Sequence, residues 1–109
     1  MSQPIYRIDK FCVPASARDE FLSRVRATHE LLRTQPGFLR DAILEQASGP
    51  GQFNFVTIVE WAHAEALEPA RQAVAALHQQ MKFDAREMMT RLGIRADIAN
   101  YTRVAPVKP

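Results

Sequence analysis

With 109 residues, 47% of them hydrophobic and 24% charged, the chain has the size and composition of one soluble globular domain, and two domains would not fit. The formal net charge of +2 comes from arginines interleaved with acids, as in RVRATHE and DAREMMTRLGIRAD, which excludes the basic, aromatic-studded run of a nucleic-acid binder. Cys12 alone excludes an internal disulfide, no window is apolar enough for a membrane span, and MSQPIYRIDK lacks a basic segment followed by an apolar one. A cytoplasmic protein with neither nucleic-acid nor membrane partners is expected.

Ile5 to Val13 reads as a first strand, with Ile5, Phe11 and Val13 on one face beside Arg7 and Asp9, and Tyr6, Ile8 and Cys12 on the other beside Lys10. Within that alternation Cys12 is expected to be a small buried hydrophobe. Pro14 ends the strand, and Ala15 to Thr34 follows as an amphipathic helix with Phe21, Leu22, Val25, Thr28, His29 and Leu32 on one stripe and Ser16 as its cap. Gln35-Pro36-Gly37 stops the helix and returns the chain into a second strand at Phe38 to Glu45.

Ala47 to Gln52, with SGPG at its centre, is a hairpin connection into Phe53 to Trp61. That third strand is apolar on both faces: Phe53, Phe55, Val59 and Trp61 with Thr57 on one, Val56 and Ile58 with Asn54 and Glu60 on the other. A second helix begins near Ala64 and carries Leu67, Ala70, Val74, Leu77, His78 and Met81, with Pro69 in its first turns, where a missing amide costs least. Asp84 is placed to cap a short third helix with Met88, Met89 and Leu92 on its apolar side, and Gly93 to end it. Ala96 to Val104 is the fourth strand, and the tail from 105 to 109 is expected to be loose.

The order predicts an α+β fold, a single ferredoxin-like βαββαβ domain with an antiparallel sheet, a core over about residues 5–104 and its first and third strands neighbours joined by a right-handed crossover. A chain this short covers one sheet face with helices and leaves the other bare, so a homodimer is expected across the doubly apolar third strand.

The turn in FCVPASARDEFLSRV, the segment QPGFLRDAIL after the first helix, and FVTIVEWAHAEALE, where strand three ends in Trp61, resemble the antibiotic biosynthesis monooxygenase superfamily of dimeric α/β-barrel proteins over residues 5 to 104. The resemblance implies a cofactor-independent monooxygenase acting with molecular oxygen on a small aromatic, anthrone or quinol-like substrate. The alternative it leaves open is a non-catalytic small-ligand-binding module of the same fold. A deprotonated phenol or anthrone passes an electron to oxygen by itself, so the protein need supply only a dry pocket, a base and orientation. The chain carries neither a glycine-rich nucleotide signature nor paired metal-ligand spacing, and no cofactor and no metal are expected.

By the same resemblance Trp61 matches the strand-three tryptophan that borders the substrate pocket, and His78 a histidine of the second helix that is the candidate base. Each has a structural alternative, as core aromatic or as a satisfied inner histidine. Thr57 is the polar group on the face of Trp61, where antibiotic-tailoring members carry an asparagine. Phe55 and Val59 from strand three and Phe21, Val25 and His29 from the first helix are the expected substrate-binding wall. The haem-degrading branch needs an asparagine on strand one and a tryptophan in helix two; alignment at FCVPA puts Ile8 and Ala70 there, which argues against haem degradation. Arg7, Asp9, Arg40, Asp41 and Glu45 are expected to form structural salt bridges across the sheet or the dimer seam, the alternative being that they line the mouth of a cleft.

Overall fold

The computed structural model describes residues 3–105. Its elements are β1 (Ile5–Cys12), a 3-10 turn (Ala15–Ala17), α1 (Arg18–Leu32), β2 (Phe38–Glu45), β3 (Phe55–Trp61), a second 3-10 turn (Ala64–Ala66), α2 (Leu67–Gln80), α3 (Ala85–Leu92) and β4 (Arg95–Tyr101). The four strands form one antiparallel sheet in the order β2-β3-β1-β4. This is the expected ferredoxin-like arrangement, with β1 and β3 at the centre. The crossover through α1 joins β1 to β2, and β3 enters between them by the hairpin.

Register decides which side chains meet. Ile5, Arg7, Asp9 and Phe11 lie opposite Trp61, Val59, Thr57 and Phe55, and Asp41 and Ile43 lie opposite Val59 and Thr57 from the other side. Because side chains alternate along a strand, all of these share one face, the one that the helices cover. Tyr6, Ile8 and Lys10 of β1, Val56, Ile58 and Glu60 of β3, and Ala42 and Leu44 of β2 share the other. Among the described residues no helix covers that second face, and the principal-axis extents of 49 × 38 × 17 Å are those of one helix layer on one sheet.

The covered face holds two separate apolar clusters. Phe11, Val13, Ala17, Phe21, Leu22, Phe55 and Ile94 form one, and Val59, Trp61, Ala66 and Ala70 the other. Phe21 is the hub of the first, with its ring 4.9 Å from Phe11 and 5.2 Å from Phe55. Between the clusters the sheet presents Arg7, Asp9 and Thr57, and that polar waist positions the site.

Several local details differ from the sequence reading. Ser16 does not cap α1: it lies inside the 3-10 turn, and the capping position falls to Ala17, which has no side-chain oxygen. The third strand begins at Phe55, and just before it the Asn54 side chain accepts from the N–H and donates to the C=O of Val13, at 2.8 Å each. Cys12 is half-buried rather than buried; its Sγ lies 2.9 Å from the carbonyl oxygen of Gln52. The fourth strand stops at Tyr101, which pairs with Tyr6 near the start of β1, and Val104 is 93% exposed. Of the tail expected to be loose, Ala105 is exposed and residues 106–109 lie outside the described residues. Asp84 does cap α3, accepting from the Glu87 amide at 3.1 Å, and Gly93 ends it in the left-handed region at φ 72°.

Gly37 is the glycine with least room. Its φ is +87°, and a Cβ there would lie 2.7 Å from the Cβ of Ala66. Gly49 has a similar φ of +97° but nothing within 4 Å. Gly49→Ala therefore carries only the cost of the left-handed backbone, about 1–2 kcal/mol, while Gly37→Ala adds a steric clash beneath Trp61. Thermal unfolding of the two variants should rank Gly37→Ala clearly below Gly49→Ala; equal losses would contradict the packing of the Pro36-Gly37 turn on Ala66.

Candidate functional site

Above the polar waist, α1 and α2 stand off the sheet and leave a cleft of two lobes. The upper lobe, about 200 Å³, is walled by Leu32, Val59, Trp61, Leu67, Ala70 and Val74. The lower lobe, about 260 Å³, is walled by Phe11, Val25, Phe83, Met88, Met89 and Ile98, with Arg24 and His78 at its side. Arg7, Asp9, Thr28, His29 and Thr57 line both, so the lobes meet at the waist. Together they fall within the ~300–1,000 Å³ of ordinary small-molecule pockets, and they combine apolar walls with a few convergent polar groups as such pockets do.

His29 is the most enclosed polar residue of the cleft, at 4% exposure. It belongs to the inner stripe of α1, one turn beyond Val25. Its Nδ1 lies 2.7 Å from Oδ2 of Asp41, and their side chains are 5% and 11% exposed. Arg33, one turn further along α1 and half-exposed, donates to the same carboxylate from Nη2 at 2.9 Å and from Nε at 3.2 Å. An ionised carboxylate only accepts, so in the neutral ring Nδ1 carries the proton and Nε2 keeps the lone pair. Asp41 lines neither lobe, whereas His29 lines both. Among the described residues Nε2 has no hydrogen-bond partner.

Burial works against the Asp41 carboxylate, but the hydrogen bonds from Arg33 and His29 outweigh it and hold its pKa below the ordinary aspartate value. A carboxyl depressed only in the folded chain stabilises fully above its unfolded pKa of about 3.9, and that contribution disappears as pH falls through the lower folded value. Asp41→Asn is therefore expected to lower the melting temperature at neutral pH and to flatten the acid side of the stability curve. Melts across the acid range check this; an unchanged acid slope would remove Asp41 from the linkage.

The other polar groups at the waist come from the strands. Arg7 and Asp9, two apart on β1, point the same way, and Arg7 Nε donates to Asp9 Oδ1 at 2.7 Å. Thr57 is 5% exposed, between Asp9 on one side and Ile43 on the other. His78 stands apart in the lower lobe, edge-on to Phe83 at 4.9 Å, while Arg24 stacks over the Phe83 ring at 4.2 Å. Its ring has no hydrogen-bond partner among the described residues. Burial first, then the Arg24 charge, push the His78 pKa below its usual value against the opposing pull of Asp84.

The expected site residues thus divide by position. Trp61 and Val59 wall the upper lobe, Val25 and His78 the lower, and Thr57 and His29 link them. Trp61 and His78 do not share a lobe. Phe21 and Phe55 line neither; they are the largest fully buried side chains and belong to the core below the cleft. The salt bridges expected of strand charges form: Arg40 with Glu60, Glu45 with Arg18, and Arg7 with Asp9. What sequence reasoning missed is that Asp41 joins a cleft histidine. The available signal was a histidine on the inward stripe of α1; the irregularity between Phe38 and Arg40 resets the alternation of β2 and hid the face of Asp41.

Ile8, aligned with the haem-degrader asparagine, points to the uncovered face and cannot reach the cleft. The β1 side chains that do reach it are Arg7, Asp9 and Phe11, and none is asparagine. Among the described residues no three His, Cys, Asp or Glu side chains converge as a metal site, and no helix is long and apolar enough to cross a membrane.

The family model for antibiotic biosynthesis monooxygenases matches residues 4–81, and the chain belongs to that family. No curated protein sequence matches it. Among solved structures it is similar to SnoaB, a cofactor-independent oxygenase from Streptomyces nogalater, with a TM-score of 0.64, 20% identity and 99% of this chain and 100% of that chain covered. It is also similar to PA3566 from Pseudomonas aeruginosa, with a TM-score of 0.70, 19% identity and coverage of 96% and 98%. The haem-degrader MhuD from Mycobacterium tuberculosis matches with a TM-score of 0.66, 21% identity and coverage of 95% and 99%. At these identities the likeness is one of fold.

Proposed function

We propose that the protein is a cofactor-independent monooxygenase that oxygenates a small aromatic substrate of anthrone or quinol type. The observation that carries this reading is the two-lobed apolar cleft whose lobes meet at a polar waist of Arg7, Asp9, Thr28, His29 and Thr57. A flat substrate of fused rings would lie along the lobes with an ionisable carbon or phenolic oxygen at the waist. Trp61 and Val59 would clamp one end, and Phe83 and Met88 the other. For an anthrone, dioxygen inserts one oxygen where a CH₂ loses both hydrogens, and the second oxygen leaves with them as water. The substrate is the only reductant, so no other redox partner is required by the balance.

In the lower lobe His78, kept neutral by burial and Arg24, serves this reading as a hydrogen-bond acceptor for a second substrate hydroxyl. Two copies are proposed to pack their uncovered sheet faces together, burying Ile8, Val56, Ile58 and Leu44, and a cytoplasmic homodimer is the form in which the enzyme works.

Oxygen uptake by the purified protein with an anthrone, alongside anaerobic binding of the same compound, tests the reading. One oxygen consumed per anthrone, saturating with substrate, is expected. Saturable binding with no uptake above the uncatalysed rate would favour a small-ligand-binding module instead.

A further inference from the structure

We propose that His29 is the general base of this site and that Asp41 and Arg33 are its positioning residues, an inference that rests on the oxygenase reading above. A fully buried structural histidine generally pairs both ring nitrogens, with protein or with ordered water. Here Nδ1 is bonded to Asp41 at 2.7 Å, Nε2 is left without a partner among the described residues, and the residue lines both lobes. The carboxylate fixes the ring orientation and tautomer, and it stabilises the imidazolium that proton transfer creates. Arg33 grips both carboxylate oxygens, so Asp41 remains ionised and does not compete for the proton. His78 lacks this arrangement: no carboxylate bonds its ring, and Arg24 opposes a positive charge on it.

The step balances without any further reagent. The acidic C–H or phenolic O–H of the substrate gives its proton to Nε2, and the electron pair stays on the substrate. Dioxygen accepts electrons from that anion and forms a C–O bond at the activated carbon, giving a peroxide anion. The imidazolium returns its proton to the peroxide; the O–O bond then breaks, and the remaining C–H hydrogen leaves with the hydroxyl as water. Arg7, with Nε committed to Asp9, keeps its Nη donors for the developing substrate anion.

The test uses the whole chain. In wild-type protein carrying ¹⁵N-histidine, His29 is expected to show a protonated Nδ1 and a lone-pair Nε2, and an anthrone added without oxygen should move the Nε2 resonance. Asp41→Asn should mix the two tautomers while the fold persists by circular dichroism. His29→Ala should lower kcat by about 10²- to 10⁴-fold with little change in KM, and added imidazole should restore part of it. His29→Gln, which still donates to Asp41, serves where the alanine variant fails to fold, with the same loss of kcat expected. A folded His29 variant within about twofold of wild-type kcat, or a wild-type Nε2 that carries the proton, overturns the assignment while leaving the oxygenase reading intact. Movement of the Nε2 resonance with no oxygen consumed by wild type overturns the oxygenase reading and the base role with it.

Discussion

Phe21→Ala is expected to cost about 3–5 kcal/mol, which is a large share of the ~5–15 kcal/mol that separates folded from unfolded domains. Phe21 has 1% exposure and contacts both Phe11 and Phe55, so its removal leaves a hole with walls from three elements. The milder Phe21→Leu should lower the melting temperature and leave KM for the substrate unchanged, because the ring lies below the cleft and not in its wall. Denaturant melts and steady-state kinetics on the same variant decide it. A raised KM at unchanged stability would return Phe21 to the binding wall.

Ile58→Lys is expected to convert a dimer into a folded monomer. Ile58 lies at the centre of the uncovered face, opposite Ile8 of β1 and Ala42 of β2, with Val56 two residues along. A lysine there puts a charge against its symmetry mate in a two-fold interface, where the same patch meets itself. The monomer fold tolerates it, since no helix packs on that face. Light scattering after size exclusion at low micromolar concentration should give twice the chain mass for wild type and the chain mass for the variant. A wild-type monomer, or a variant that stays dimeric, would place the interface elsewhere or remove it.

These two residues also show what the sequence carries and what it does not. Strand alternation reports faces, and both faces of β3 were legible: Phe55, Thr57, Val59 and Trp61 do point to the helices, and Val56 and Ile58 away from them. Alternation says nothing about position along a face. Phe55 and Trp61 share a side, yet one is sealed under Phe21 and the other borders the cleft, because the gap is set by where α1 and α2 lift from the sheet. The same limit hid the His29–Asp41 pair. His29 had a readable direction, inward from α1, while Asp41 did not, because the irregularity between Phe38 and Arg40 resets the alternation of β2. Their meeting depends on the β2-β3 register and on where α1 crosses the sheet, neither of which leaves a mark at the two positions themselves. Ser16 failed as a cap for a local reason, a tight 3-10 turn after Pro14 that delays the helix by one turn.

On the proposed function, this chain inserts one atom of dioxygen into an aromatic substrate using only its own side chains. Mass spectrometry of the product formed from an anthrone under ¹⁸O₂, by protein stripped of metal and flavin, tests it most directly. One ¹⁸O in the quinone carbonyl, with the other recovered in water and the yield proportional to enzyme, is the result expected. A product that carries only solvent oxygen, or that forms no faster than without protein, would contradict it.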